Sequence, residues 1–105
     1  MIEEKVWYSG PNTGSLEEGK IVEVLLGEKT LCLLKRGEKI LAFSALCPHA
    51  SGRLCEGKID SRGNVVCPVH QYRFNPANGY NSSGEGYHLK TFPVKLEDGL
   101  IFVQF

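Results

Sequence analysis

Two short clusters, Cys47-Pro48-His49 and Cys67-Pro68-Val69-His70, constrain this chain more than any other feature. Each couples one thiolate donor to one imidazole donor, and the stretch 50–66 separates them. A fold that uses both must bring two loops together and hold four side chains around one point. A catalytic nucleophile has no need of two copies of one Cys/His pair. A metal centre that takes two sulfurs and two nitrogens does. A proline follows each cysteine and presets the backbone there, so both segments are stiff as well as reactive.

The 105 residues fit a single domain, 1–105, with an adequate but thin core. A bound centre that recognises only the folded state would add stability. Twelve Lys and Arg balance twelve Asp and Glu. No basic excess points to nucleic acid, and no Arg/Lys-rich helix points to a membrane surface. The opening residues Met1-Ile2-Glu3-Glu4-Lys5 are charged and lack an apolar signal core, and no apolar run is long enough for a membrane helix. The expected compartment is therefore a reducing cytoplasm. Four cysteines allow two disulfides. Two of them stand in ligand spacing with histidine, so metal binding is the better expectation.

Turn signals recur at Ser9-Gly10-Pro11-Asn12, Leu26-Gly27-Glu28, Arg36-Gly37-Glu38, Ser61-Arg62-Gly63-Asn64, Asn78-Gly79 and Asp98-Gly99. Short β-favouring runs lie between them, which predicts an all-β domain. The expected strands are 21–26, a hairpin of 30–35 and 39–43, a strand 64–67 entering the second cluster, and a last hairpin of 91–96 and 100–105 closed at Asp98-Gly99. One helical turn is expected near 15–18. Two loops remain, 45–54 with Cys47 and His49, and 68–75 with His70. The metal centre is expected between them at the tip of the sheet.

Three readings of the Cys/His pairs compete. They can be chance, but their repetition with prolines at one offset argues against that. Two Cys and two His also suit tetrahedral zinc. Zinc sites usually pair like donors along the chain, and the single residue between Cys47 and His49 makes it awkward for both to reach one ion. That spacing is natural if the two bind neighbouring metals.

The third reading carries a resemblance. Cys47-Pro48-His49-Ala50, Leu54 through Gly57, Val65-Val66-Cys67-Pro68-Val69-His70, Tyr72-Arg73-Phe74-Asn75, Gly79, Phe92-Pro93-Val94-Lys95 and Glu97-Asp98-Gly99 together resemble the Rieske ferredoxin family over most of the chain. The resemblance implies stacked antiparallel sheets with a cluster-binding subdomain of two loops, and one [2Fe-2S] cluster as cofactor. It implies Cys47 and Cys67 on the inner iron, and His49 and His70 on the outer iron near solvent.

Two ferric ions, two sulfides and two thiolates carry no net charge when both histidines are neutral. An all-cysteine site would be more negative and harder to reduce, so the potential rises above the roughly −400 mV of plant-type ferredoxins. High-potential relatives add a disulfide between the ligand loops and Ser and Tyr hydroxyls near the cluster. The corresponding positions here are Gly52 and Val69, and Tyr72 and Phe74. Neither the disulfide nor the Ser hydroxyl is available, and Phe74 cannot donate, so a low-potential member is expected.

The family's proline-containing third loop corresponds to 81–88, which has no proline. Either Tyr87 or His88 covers the cluster in its place or, as the favoured expectation, the stretch is a flexible surface loop; His88 is not an expected ligand. Cys32 reads as a packed core residue and Cys55 as a residue with a structural role. Trp7 and Tyr8 are expected to anchor the first strand. Arg53, Lys58, Arg62 and Arg73 form either a partner-docking rim or ordinary solvated surface.

No catalytic residue is expected. Two of the three histidines are committed to the cluster, so the mononuclear iron site of related oxygenases cannot be built here. The expected function is a soluble, monomeric one-electron carrier between a reductase and an oxygenase or other redox enzyme. The alternatives are a Rieske-type small subunit of a larger oxidoreductase such as assimilatory nitrite reductase, and a zinc-stabilised binding module.

Overall fold

A computed structural model describes residues 6–48, 52–69 and 71–105. Its centre is a four-stranded antiparallel sheet of β2 (Ile21–Leu26), β3 (Lys29–Arg36), β4 (Lys39–Ser44) and β8 (Thr91–Phe92), in the order β2-β3-β4-β8. The run Leu31-Cys32-Leu33-Leu34 in β3 is apolar without alternation because both faces of this strand are covered. Leu31 and Leu33 enter one buried cluster with Ala42, Phe92, Ile101 and Val103. Cys32 and Leu34, pointing the other way, enter a second with Phe43, Cys47, Leu54, Val65, Cys67, Phe74 and Leu89.

The first cluster is closed by a sheet of β1 (Trp7–Asn12), β10 (Leu100–Gln104) and β9 (Val94–Glu97), in the order β1-β10-β9. Tyr8 packs on this cluster and stacks on Phe105 with centroids 4.2 Å apart. Trp7, one residue earlier in the strand, lies under the Lys95 ammonium at 4.7 Å from its ring centroid. So Tyr8 is the core anchor, and Trp7 serves the outer face.

The second cluster is closed by a small sheet of two-residue strands, β5 (Lys58–Ile59), β6 (Val65–Val66) and β7 (Arg73–Phe74). This sheet carries the second loop, and its contact with the central sheet sets where the two cysteines meet.

The expected all-β architecture of stacked antiparallel sheets is present, with local corrections. Ser9-Gly10-Pro11-Asn12 is not a turn but part of β1, with a register irregularity between Ser9 and Asn12. An edge strand tolerates Pro11, whose missing N–H costs no ladder bond on the open side. The expected strand 91–96 is broken at Pro93, so that Phe92 pairs with Ala42 in the central sheet and Val94 with Val103 in the outer one. The helical turn is a 3-10 turn at Thr13–Ser15, earlier than expected, where the Asn12 side chain accepts from the Gly14 N–H at 3.0 Å.

The last hairpin turns at Asp98 and Gly99, with φ of 50° and 76°, the left-handed pair that a two-residue reverse turn requires. Cys32 is fully buried as expected, but it is also joined by a disulfide to Cys55 in the 3-10 turn Leu54–Glu56.

Candidate metal centre

Cys47 and Cys67 are in no disulfide, and both are buried in the same apolar cluster between the central sheet and the small sheet. Each closes its own loop in the same way. The Cys47 N–H donates to the Gly52 carbonyl at 2.8 Å, and the Cys67 N–H donates to the Tyr72 carbonyl at 2.9 Å. In both loops the acceptor lies five residues beyond the cysteine, so the repetition seen in sequence extends to the backbone.

The first loop is further pinned by Leu54 N–H to Ala45 O at 2.8 Å. The second turns back through Gln71, whose N–H donates to the Cys67 carbonyl at 2.9 Å and whose φ is 59°. Such a left-handed residue is costly unless its surroundings fix it, and here both hydrogen bonds of the loop do so.

The two loops touch through Gly52. A Cβ at this position would lie 2.7 Å from Cys67 Sγ and 2.6 Å from a Val69 methyl, so only glycine fits. The positions that carry the loop disulfide in high-potential relatives thus face one another here as glycine and valine. Expected ligands His49 and His70 fall outside the described residues. Among the described residues no group of three or more His, Cys, Asp or Glu is placed to hold a metal.

The third loop is held by Asn81, which is 5% exposed. Its Nδ2 donates to Arg73 O at 3.1 Å and Glu85 Oε1 at 3.0 Å, and its Oδ1 accepts from the N–H groups of Glu85 and Gly86. The stretch 82–88 is exposed at the surface as expected, and one buried carboxamide ties it to β7. The loop ends with Tyr87 against Tyr72, ring centroids 5.9 Å apart. Burial and then the nearby Glu85, Tyr87 and Cys47 push the Tyr72 hydroxyl above its ordinary range, so it stays a neutral hydrogen-bonding group. His88 Nε2 sits beside Gly79, 2.9 Å from where a Cβ would be.

Around the loops the surface is apolar at Leu46, Val69 and Tyr87, which are 51%, 49% and 41% exposed. Two members of the expected basic rim are already paired: Arg53 with Glu23 and Glu56, and Arg73 with Asp60 at 3.2 Å. Sequence reasoning missed the role of Asn81, because a lone asparagine in a polar stretch carries no signal of burial.

The Rieske [2Fe-2S] domain model matches residues 6–93. The chain belongs to the Rieske [2Fe-2S] family. A Rieske domain of this type holds one [2Fe-2S] cluster, and the donor chemistry fits: two buried, unbridged thiols at the closures of two touching loops.

This Rieske chain is 31% identical to the ferredoxin component of the naphthalene 1,2-dioxygenase system of Pseudomonas putida, over 88% of each chain. It superposes with a TM-score of 0.82 and 27% identity on a chain of a complex between reduced oxygenase and oxidized ferredoxin in carbazole 1,9a-dioxygenase, covering 92% of this chain and 91% of that one. The small subunit of a nitrite reductase, described as NADH-dependent, from Mycobacterium tuberculosis shares the fold at a TM-score of 0.86, with 20% identity over 98% and 97% of the two chains. The naphthalene 1,2-dioxygenase relative, matched over 88% of its length, is a ferredoxin component of its system. No helix among the described residues is long and apolar enough to cross a membrane.

Proposed function

We propose that this single Rieske domain, 1–105, is a cytoplasmic, monomeric ferredoxin that carries one electron from a reductase to an oxygenase or another redox enzyme. The observation that carries the reading is the pair of buried cysteines outside any disulfide, Cys47 and Cys67, on loops closed by the same backbone bond, in a chain matching an oxygenase-system ferredoxin over most of both lengths. Cys47 and Cys67 would supply the sulfur ligands, and His49 and His70 the nitrogen ligands. A bound cluster of this type supplies one-electron exchange.

The chain's own part is to hold the donors and keep water away. Phe74, Leu54 and Leu89 bury the cysteine side of the site. The exposed Leu46, Pro48, Pro68 and Val69 surround its outer side, so a partner that docks there meets apolar surface and displaces little bound water.

A stoichiometric iron and acid-labile sulfide assay on anaerobically prepared protein, with an EPR spectrum of the reduced form, tests the proposal. Two irons and two sulfides per chain are expected. Replacing His70 by Ala should abolish normal cluster assembly, and an unchanged spectrum in that variant would remove His70 from the ligand set.

The nitrite reductase likeness keeps a second reading in play, that of a fixed small subunit, on fold alone. Native sizing separates the two: a carrier elutes alone, and a subunit comigrates with a larger oxidoreductase.

A further inference from the structure

We propose that the Cys32–Cys55 disulfide is a thiol-switched clasp on the first ligand loop. The inference rests on the reading that Cys47 and His49 bind the cluster. Cys32 belongs to β3, the strand shared by both cores, and Cys55 belongs to the 3-10 turn that directly follows the loop. The ring that this bridge closes, from 32 to 55, contains Cys47 and His49. The loop's other ties are noncovalent: the hydrogen bonds of Leu54 to Ala45, Cys47 to Gly52 and Leu46 with the Ser44 hydroxyl, the Arg53–Glu23 ion pair, and the burial of Cys47 and Leu54. The bridge is thus the one covalent tie, among the described residues, between the first loop and the central sheet.

The two sulfurs differ in access. Cys32 is fully buried, while Cys55 is partly exposed. An external dithiol therefore reaches Cys55. Its thiolate attacks the Cys55 sulfur, the S–S bond breaks, and Cys32 leaves as a thiolate that takes up a proton. The second thiol of the reductant then attacks the mixed disulfide and frees Cys55. The clasp gains two electrons and two protons, and the dithiol becomes a disulfide. The interior accommodates the reduced form, because Cys32 Sγ lies 3.9 Å from the Ser44 carbonyl, an acceptor for the new S–H. Ser44 ends β4 and leads into the ligand loop, so both sulfurs of the clasp border the segment they restrain. A disulfide in a cytoplasmic protein is more often of this switching kind than a permanent staple.

The test uses the cluster-loaded protein. Thiols are alkylated under denaturing conditions and counted by mass spectrometry, with and without prior dithiothreitol treatment. Cluster release to a chelator is followed by loss of visible absorbance. The intact protein should show two alkylated cysteines and the treated protein four, with release faster by about tenfold after treatment. Cys55→Ser and a Cys32→Ala/Cys55→Ala double variant should release at the treated rate and no longer respond to dithiothreitol.

Four alkylated cysteines after mild oxidation, or equal release rates with the bridge open and closed, would overturn the proposal. So would acceleration by dithiothreitol in the double variant, since the effect would then bypass the bridge. Should the double variant fail to fold, Cys55→Ser, which also lacks the bridge, gives the same control. A cluster that survives Cys47→Ala would sink the ligand reading instead, and the thiol count is indifferent to it.

Discussion

Gly52 lies so close to Cys67 that a Cβ on it would stand 2.7 Å from the cysteine sulfur. One loop's backbone therefore seats directly on the other loop's ligand candidate. Gly52→Ala should push the loops apart at a cost of about 1–3 kcal/mol, as overpacking in a filled interior does. Iron content per chain should fall, and chemical denaturation of the loaded protein should shift to lower urea. An alanine variant with full iron and an unmoved midpoint would contradict the close approach.

Asn81 should behave as a core residue despite its polar side chain. Asn81→Ala removes the side-chain acceptor of the Glu85 and Gly86 N–H groups and one of the two donors to the Arg73 carbonyl, which keeps the Ser82 N–H. A loss of about 1 kcal/mol is expected for removing these part-buried hydrogen bonds. Hydrogen exchange should show 82–87 opening well before the central sheet.

Acid stability should depend on Asp60. Its carboxylate accepts the N–H groups of Asn64 and Arg62 at 2.9 Å and pairs with Arg73. The Asn64 backbone bond foremost, with Arg62, the Asn64 side chain and the Arg73 charge adding to it, holds its pKa below the ordinary carboxylate range. A depressed folded pKa means stability that is present above the unfolded pKa, about 3.9, and lost as pH falls through the folded value. Asp60→Asn should be less stable at neutral pH, and the gap to wild type should close under acid. A gap of constant size across the acid titration would reject the linkage.

The midpoint potential should lie near the bottom of the range of roughly −150 to +300 mV for such clusters. Val69 and Gly52 stand where a loop disulfide would be, and the buried Phe74 has no hydroxyl to donate to a sulfide. Film voltammetry giving a value above about +100 mV would contradict this.

Much of this was legible in the chain because the informative residues obey local rules. Ile21–Leu26 and the hairpin at Asp98-Gly99 follow from apolar runs and a turn pair whose geometry is set within four residues. The two Cys/His clusters stand out by repetition, and the structure extends that repetition to the backbone closures at Cys47 and Cys67. Lys58–Ile59 and Arg73–Phe74 were not readable, because a two-residue strand shows no period and exists only through its neighbours. The split at Pro93 needed knowledge of which sheet each half would join. The Cys32–Cys55 bond joins residues whose proximity depends on β3 and the turn after the loop packing together, and spacing alone does not encode that.

The apolar run in β3 is walled in on both sides, so one strand joins the core beneath the two cysteines, at the reactive end, to the core at the base. When charge arrives at such an end, few atoms are free to rearrange in response. A carrier made this way exchanges charge with a small reorganisation cost, and part of the stiffness that makes this possible comes from Leu31 and Leu33, which pack on the face of β3 turned away from the two cysteines.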